Sequence, residues 1–296
     1  MAANPVLAPA IFPMFQRKYA GFEAIQSNGV ATCRVPTTGR HYAHRLHFKT
    51  SAGANLTQAE IESQVTLIKV KINGVTTHEA PPAVFHMLQK YYGDAKGATI
   101  VPGVLLIDYC RRHLTLPAER KQMALGMQGV DTFTIECYTG TLSNLAVIDF
   151  NASIENVESP LGPHYRLLSN PQYKNTTGEH QISDLPKAPN AALLAYHISL
   201  GSVPGVLSEV SLIADNVNLF ERQAPTVTQQ VLEDAGRNPQ SGYYHIDFNL
   251  NNEVLGLFPW TQNKRTVQDW RLTPNWSTAP NDFKVYTEQV FNMPQL

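Results

Sequence analysis

The sequence predicts an all-β protein of two tandem jelly-roll β-sandwiches, each carrying one short helix. Two observations predict this fold: one plan of turn, proline, helix and strand occurs twice, and many other apolar segments have the two-residue period of a β-strand. The first copy contains Asn73-Gly74-Val75, Ala80-Pro81-Pro82, a helix closed by Gly93, Ile107-Asp108-Tyr109 and Phe133-Thr134-Ile135. The second copy contains Asp215-Asn216-Val217, Ala224-Pro225, a helix closed by Gly236, Ile246-Asp247-Phe248 and Phe283-Lys284-Val285.

Local patterns define the predicted turns and helices. Asn73-Gly74 indicates a tight hairpin turn, because both residues tolerate positive φ. Thr57-Gln58-Ala59-Glu60 indicates a capping box before a single helical turn. The matched helices each carry an apolar stripe, made of Val84, Met87, Leu88 and Tyr91 in the first and of Val227, Val231, Leu232 and Ala235 in the second. We expect both helices to bury that stripe against a sheet.

The composition of the chain changes along its length and predicts four segments. We expect an N-terminal arm over residues 1–28, a first jelly roll over 29–155, an inter-domain linker over 156–190 and a second jelly roll over 191–296. The arm is predicted because Met1–Phe15 is apolar, uncharged and interrupted by prolines, which argues against a signal peptide or a membrane span. The linker is predicted because its five prolines and polar runs are typical of an irregular connection.

The chain has a small net charge and few charged residues, which limits the classes of partner it is expected to bind. The net charge is −1 and charged residues make up 16% of the sequence, against about 25% in a typical soluble domain. No basic stripe is present, so direct binding of nucleic acid is not expected. A surface poor in charge favours a protein that packs against neighbours, because interface cores are depleted in charge.

The cysteines and histidines do not form an obvious chemical site. Cys33, Cys110 and Cys137 are odd in number and lack CxxC spacing, so we expect small buried side chains in a protein made in a reducing cytoplasm. His41, His44 and His47 resemble a metal cluster. On a regular strand, however, His44 points away from the other two, which are themselves too far apart to share one ion.

Other residues invite a functional interpretation that the sequence does not support. Asp108 and Asp247 occupy matched positions, and duplication alone explains them better than paired acid–base chemistry. Trp260, Trp270 and Trp276 suit a core or a subunit interface better than a sugar platform. Four Asn-x-Ser/Thr sequons begin at Asn55, Asn151, Asn175 and Asn275 and occur near chance frequency. The sequence therefore assigns no catalytic, cofactor-binding or metal-binding residue.

A set of ordered features carries a resemblance to a known family. In the first unit these are Cys33, Pro36-x-x-Gly39-x-x-Tyr42, Ile68-x-Val70-x-Ile72-Asn73-Gly74, the helix after Pro82, Val104–Tyr109, and Met123-Ala124-Leu125-Gly126 before Gly129. In the second unit they are Thr176-Thr177, Ile182-x-Asp184-Leu185-Pro186, Ala192–Ile198, Tyr244-x-Ile246-Asp247-Phe248 and Gln268-Asp269-Trp270-Arg271-Leu272. From about Gly29 to Val290 the chain resembles the major capsid proteins of corticovirus-type phages, which are icosahedral and contain an internal membrane.

The resemblance implies a structural role and a set of partners. It implies a double jelly roll that forms pseudo-hexameric homotrimers, related to the capsid proteins of tectiviruses and to the adenovirus hexon. The implied partners are the chain itself, vertex or penton proteins, membrane proteins of the virion and its lipid bilayer, and the implied location is the virion capsid. No cofactor is expected. Members of the family bind structural calcium at interfaces, but no residue here matches a calcium motif.

Two alternatives belong to other functional classes. A hydrolase resembling secreted peptide N-glycanases also joins two jelly rolls, and it would need acidic residues in the groove between them. A carbohydrate-binding spike would use the late tryptophans as stacking platforms. The position of the carboxylates and the exposure of the tryptophans distinguish both from the capsid hypothesis.

Overall fold

A computed structural model describes residues 15–19, 21–93, 100–111, 114, 117–201, 205–253, 257–262 and 265–292. Residues 1–14 and 20 of the predicted N-terminal arm lie outside the described residues. The arm prediction is wrong for Phe15–Tyr19, which form a strand of the first sandwich that pairs with residues 150–154. The first unit contains β1 (Phe15–Tyr19), β2 (Val30–Arg34), β3 (Arg40–Lys49), α1 (Gln58–Gln64), β4 (Val65–Ile72), β5 (Val75–Ala80), α2 (Pro82–Tyr91), β6 (Val104–Asp108), α3 (Pro117–Met123), β7 (Leu125–Gly126), β8 (Phe133–Thr139) and β9 (Val147–Glu155). The second unit contains β10 (His164–Lys174), β11 (Gly178–Glu179), β12 (Ala191–Ser199), β13 (Val206–Ala214), β14 (Val217–Gln223), α4 (Pro225–Asp234), β15 (Tyr243–Asp247), β16 (Phe258–Pro259), β17 (Thr261–Gln262), β18 (Arg265–Thr266), β19 (Trp270–Thr278) and β20 (Asn281–Phe291).

Each unit is a sandwich of two four-stranded sheets, and the strand order is the same in both. The first unit has the orders β1-β9-β3-β6 and β2-β8-β4-β5, and the second unit repeats them as β10-β20-β12-β15 and β11-β19-β13-β14. Eight strands arranged in two such sheets make a jelly roll. The predicted fold, two tandem jelly rolls, is therefore confirmed.

One strand pair joins the two sandwiches. β10, the first strand of the second unit, lies parallel to β5 of the first unit, with Leu167 opposite His78. The sheets β2-β8-β4-β5 and β10-β20-β12-β15 thereby merge, and with β16, which pairs with β12, they form one nine-stranded sheet. We call this contact between the units the internal joint.

The prediction of an irregular linker over 156–190 is wrong for residues 164–174. These residues form β10, which pairs antiparallel with β20 from His164↔Phe291 to Lys174↔Asn281. Its C-terminal half carries polar residues and Pro171, and only its first residues are buried. This removes the alternation by which a strand is recognised from sequence.

The duplication extends to the hydrogen bonds of the hairpin turns. Asn73 has a φ of 49°, and its Oδ1 accepts hydrogen bonds from the backbone N–H groups of residues 131 and 132. Asp215 has a φ of 45°, and its Oδ1 accepts equivalent bonds from residues 268 and 269. The strands that follow, β8 and β19, are therefore equivalent. Phe133 thus corresponds to Trp270, and the predicted match of Phe133 with Phe283 is wrong.

The two matched helices differ in how much of their apolar stripe is covered. On α2, Val84, Met87, Leu88 and Tyr91 are all buried, as predicted. On α4, Leu232 is buried, but Val227 and Val231 are 52% and 46% exposed. The prediction of a buried stripe is thus wrong for half of α4, because helical periodicity identifies an apolar face without showing what covers it. The predicted capping box of Thr57 and Glu60 is present at the start of α1.

Candidate functional site

The internal joint has an apolar part in which the second unit contributes to the core of the first. Tyr165 and Leu167 of β10 pack into the hydrophobic cluster of the first sandwich, together with Leu194 and Val290. A separate cluster fills the second sandwich. The two units therefore share buried surface rather than meeting across a solvated groove.

At the centre of the internal joint lies a fully buried carboxylate, that of Glu288 on β20. It forms an ion pair with Arg111, which follows β6, and it accepts hydrogen bonds from the hydroxyls of Tyr92 and Tyr165. The guanidinium of Arg111 lies 3.6 Å from the ring centroid of Tyr165. Burial by itself raises the pKa of Glu288, but the charge of Arg111 and the nearby His197 hold that pKa well below its usual range. The carboxylate is therefore ionised, and the ion pair and the two tyrosine hydroxyls hold it in place.

A second buried ion pair continues this network. Arg237, directly after α4, donates to Asp247 at 2.6 Å, and Tyr91 of α2 donates to the same carboxylate at 3.2 Å. The guanidinium of Arg237 also lies 5.2 Å from the ring centroid of Tyr92, which links it to the first pair. His197 has Nε2 3.3 Å from Glu288 and Nδ1 2.6 Å from Nδ1 of His245. Partners from both units contact each carboxylate, so the network holds the sandwiches in one relative position.

The matched aspartates perform the same structural task. Asp108 Oδ1 accepts a hydrogen bond from the N–H of Cys110, and Asp247 Oδ1 accepts one from the N–H of Asn249. Each carboxylate thus binds the backbone N–H of the residue two positions later and stabilises the turn that follows its strand. The structure supports the interpretation that duplication, rather than paired acid–base chemistry, placed these residues.

A cavity of about 510 Å³ lies at the internal joint, and its lining includes Leu88, Arg111 and Arg237. Both arginines are already committed to buried carboxylates. The acidic residue in its lining is Asp108, whose Oδ1 accepts a hydrogen bond from the N–H of Cys110 in the turn after β6. The nearby carboxylates of Glu288 and Asp247 are held in the two ion pairs. The geometry therefore argues against the peptide N-glycanase-like alternative.

The predicted geometry of the histidines was wrong in one respect. A β-bulge lies between His41 and Ala43 of β3, so the side-chain alternation is interrupted. His41 Nδ1 consequently lies 2.9 Å from His44 Nε2, and both rings are buried in the first sandwich. Burial lowers the pKa of His41 to about 4 and that of His44 well below its usual value. Both rings are therefore neutral at pH 7.

The tryptophans and cysteines are core residues. Trp260, Trp270 and Trp276 are each 1% exposed, so none of them offers a ring face to a sugar. Cys33, Cys110 and Cys137 are buried thiols outside any disulfide, as predicted. Within the described ranges, no three His, Cys, Asp or Glu side chains are grouped to hold a metal ion. None of the described helices is long and apolar enough to cross a bilayer.

Each end of the chain's pair of sandwiches presents a sheet edge. Among the described strands, β1 ends the sheet β1-β9-β3-β6, and β14 ends the sheet β11-β19-β13-β14. β1 presents the exposed side chains of Arg17 and Lys18, and β14 presents Val217, Leu219 and Glu221. Unpaired strand edges are templates for pairing with another chain. The two edges, together with α4, form the candidate assembly surfaces.

Sequence reasoning missed Arg111 and Glu288, the central pair of the internal joint. Glu288 lies in Tyr286–Val290, where alternation suggests a half-exposed strand, but β20 is covered on both faces. Arg111 is held in the left-handed region with a φ of 52°. No sequence pattern marks either residue, because their pairing depends on how the two units pack.

Comparison with known proteins places this geometry in a class, the viral double jelly rolls. A model of the N-terminal domain of viral coat protein P2 matches residues 16–155, and a model of its C-terminal domain matches residues 165–293. Together the two models cover most of the sequence. The chain therefore belongs to the viral coat protein P2 family.

Solved structures agree with this fold. The major capsid protein P2 of bacteriophage PM2 superposes with a TM-score of 0.80 at 16% identity, covering 94% of this chain and 97% of that one. The capsid protein of STIV, the Sulfolobus turreted icosahedral virus, gives a TM-score of 0.66 at 13% identity, covering 95% and 97%. The PBCV-1 virus capsid gives 0.63 at 8% identity, covering 98% of each chain. No curated protein sequence matches the chain. The family and its structural neighbours are coat proteins, and the chain is a structural protein rather than an enzyme.

Proposed function

We propose that this coat protein assembles as a homotrimer with a near-hexagonal outline, and that many trimers tile an icosahedral shell over an internal membrane. The observation that carries the proposal is the pairing of β5 with β10, which places two similar sandwiches side by side in one chain. Three such chains supply six sandwiches. A unit with six similar lateral faces fills a lattice with smaller gaps than a round trimer leaves.

The open edges support closure into a ring. β1 and β14 are different edges, so a contact between them joins chains head to tail. A head-to-tail contact generates a ring when its rotation closes and an open filament when it does not. The strand pairing and the buried ion pairs of the internal joint hold the two units of each chain together. In the proposed trimer, three such joints alternate around the ring with three similar joints between chains.

The wider partners follow from the same proposal. A shell made of trimers needs different proteins at its vertices, and a shell around a membrane needs contacts to lipid or to membrane proteins of the virion. The low charge of the chain, 16% charged residues with a net charge of −1, fits packing against protein neighbours and offers nothing to nucleic acid. Three buried cysteine thiols fit synthesis in the host cytoplasm before assembly.

Light scattering of the purified protein over a wide concentration range tests the proposal. We expect a species with three times the 32.8 kDa mass of one chain. A strict monomer at high protein concentration would contradict it. Release of glycan from a denatured glycoprotein would revive the hydrolase alternative, and a positive glycan array would revive the spike alternative.

A further inference from the structure

The internal joint has an open counterpart at the two ends of the chain. By sheet order, β1 of the first unit corresponds to β10 of the second, and β14 of the second unit corresponds to β5 of the first. In the internal joint, β5 and β10 pair with each other. Their counterparts β14 and β1 are both edge strands among the described residues. One chain therefore contains one formed joint and the two separated halves of a second one.

The strand registers locate the halves of the open joint residue by residue. Leu167 on β10 lies opposite Glu288, and Gln16 on β1 lies opposite Ser153. Ser153 is the counterpart of Glu288 in the first unit, so Gln16 is the counterpart of Leu167. His78 on β5 lies opposite Val70, and Phe220 on β14 lies opposite Leu212. Phe220 is therefore the counterpart of His78. Since Leu167 pairs with His78 in the internal joint, Gln16 is expected to pair with Phe220 in the open one.

The exposed apolar side chains of α4 include the counterpart of a residue that faces the internal joint on α2. Val84 and Leu88 of α2 are buried, and the corresponding residues of α4, at the same spacing from the helix start, are the exposed Val227 and Val231. Two aliphatic side chains lie exposed on one face of this helix, and covering them would remove apolar surface from water, which is favourable. Leu88 of α2 lines the internal joint together with Ala235, Gly236 and Arg237 of the second unit. A first unit docked against α4 would cover Val231 in the same way.

The charges of the exposed side chains indicate which part of a second copy binds this surface. One residue beyond the Gln16–Phe220 pair, a parallel register places Arg17 opposite Glu221, and both side chains are exposed. The last turn of α4 also carries exposed Glu233 and Asp234 and no basic residue. Carboxylates at a helix C-terminus oppose the helix dipole. A basic strand such as β1, with Arg17 and Lys18, relieves that repulsion.

We propose that β1 of one copy pairs in parallel with β14 of the next copy, and that its sandwich covers Val227 and Val231 of α4. This inference rests on the proposed homotrimer and names the surfaces that form it. The polarity of the two joints is opposite. In the internal joint the second unit supplies the carboxylate of Glu288 and the first unit supplies Arg111, whereas between copies the first unit supplies the cation and the second unit the carboxylates. If the two joints exchanged partners, cations would face cations and carboxylates would face carboxylates.

A pair of introduced cysteines tests the register directly. Neighbouring strands lie about 4.8 Å apart, which falls within the Cα separation that a disulfide spans. Arg17 and Glu221 are both exposed, so the double variant Arg17→Cys with Glu221→Cys leaves the sandwich cores intact. We expect mild oxidation to give covalent dimers and trimers on a non-reducing gel. The control is Arg17→Cys with Val206→Cys, which places the second thiol at an exposed position of β13 away from the β14 edge.

Two outcomes separate this inference from the proposed homotrimer. If light scattering shows trimers but the double variant at positions 17 and 221 cross-links no faster than the control, the homotrimer stands and the β1–β14 joint is wrong. If no oligomer forms, both are wrong. A charge exchange gives a second readout: Arg17→Glu is expected to weaken assembly about tenfold or more because like charges then face each other, and adding Glu221→Arg is expected to restore it. Failure of the exchanged pair to restore assembly would overturn the predicted register.

Discussion

The first and second units share one fold but differ at equivalent positions in how they meet their neighbours. In the second unit β20 carries buried Glu288, whereas β9 of the first unit carries Ser153 at the same register position. Ser153 accepts hydrogen bonds from Gln16 at 2.6 Å and from Arg45 at 2.9 Å, with no buried ion pair. Likewise α2 is covered while α4 is exposed. The two units thus share a scaffold and differ at their edges, and the proposed assembly explains the difference, because one joint forms within the chain and the other between chains.

Acid pH is expected to have the largest effect on stability, because buried neutral histidines occur in both units. Burial lowers the pKa of His41 and His164 to about 4 and that of His78 to about 3, from 6.5. Below pH 6.5 the unfolded chain therefore binds protons that the folded chain does not, and stability falls as pH drops towards 4. At pH 5 each of these histidines costs about 2 kcal/mol. Circular dichroism should show unfolding between pH 6.5 and 4.

The residues of the second unit supply a control for this prediction. By register, His41 corresponds to Leu193 and His44 to Tyr196. The double variant His41→Leu with His44→Tyr should make the fall in stability with decreasing pH less steep. An unchanged pH dependence would show that this pair does not contribute to acid unfolding.

Removing the charge of Glu288 is expected to be the next largest effect. Glu288→Gln leaves Arg111 buried without a counter-ion, which should cost about 3–5 kcal/mol in the free energy of unfolding. Ser153→Ala, at the equivalent position, removes only neutral and singly charged hydrogen bonds and should cost about 1–2 kcal/mol. Urea unfolding of both variants measures the difference. Equal costs would show that the ion pair does not hold the two units together.

The two helices provide a volume-matched comparison of intermediate size. Val84→Thr buries a hydroxyl on α2 and should destabilise the chain by about 1–3 kcal/mol. Val227→Thr, at the matched position of α4, should change the stability of the isolated chain by less than about 0.5 kcal/mol, because the residue is exposed. Urea unfolding of the two variants gives both values. If the threonine on α4 is as costly as that on α2, then Val227 is already covered within one chain.

The hairpin turns should give the smallest effect and the most similar one between units. Asn73→Ala and Asp215→Ala each remove an acceptor of two backbone N–H groups at a residue with positive φ. We expect each to cost about 1–2 kcal/mol, measured by thermal unfolding. A large difference between the two variants would contradict the equivalence of the turns.

Much of the fold was predictable because its signals are local. Asn73-Gly74, the Thr57 capping box and the repeated order of turn, helix and strand all appear in the sequence and in the structure. β10 was missed because its polar, proline-containing half shows no alternation. The His41–His44 contact was missed because a bulge cannot be read from spacing alone.

The candidate site was less predictable than the fold because it depends on long-range packing. Arg111 and Glu288 lie in different units, far apart along the chain, and only the docking of the units pairs them. The burial of Val84 and the exposure of Val227 likewise depend on what packs against each helix. Periodicity finds an apolar face, but it does not tell whether that face is buried within the chain or between chains.

In the proposed assembly the second sandwich supplies shape for tiling, and the joint between chains repeats the joint within them. Negative-stain imaging of the purified protein tests this assembly. We expect closed particles with six similar lobes and three-fold symmetry. Isolated two-lobed particles, or open head-to-tail filaments at every concentration, would contradict it.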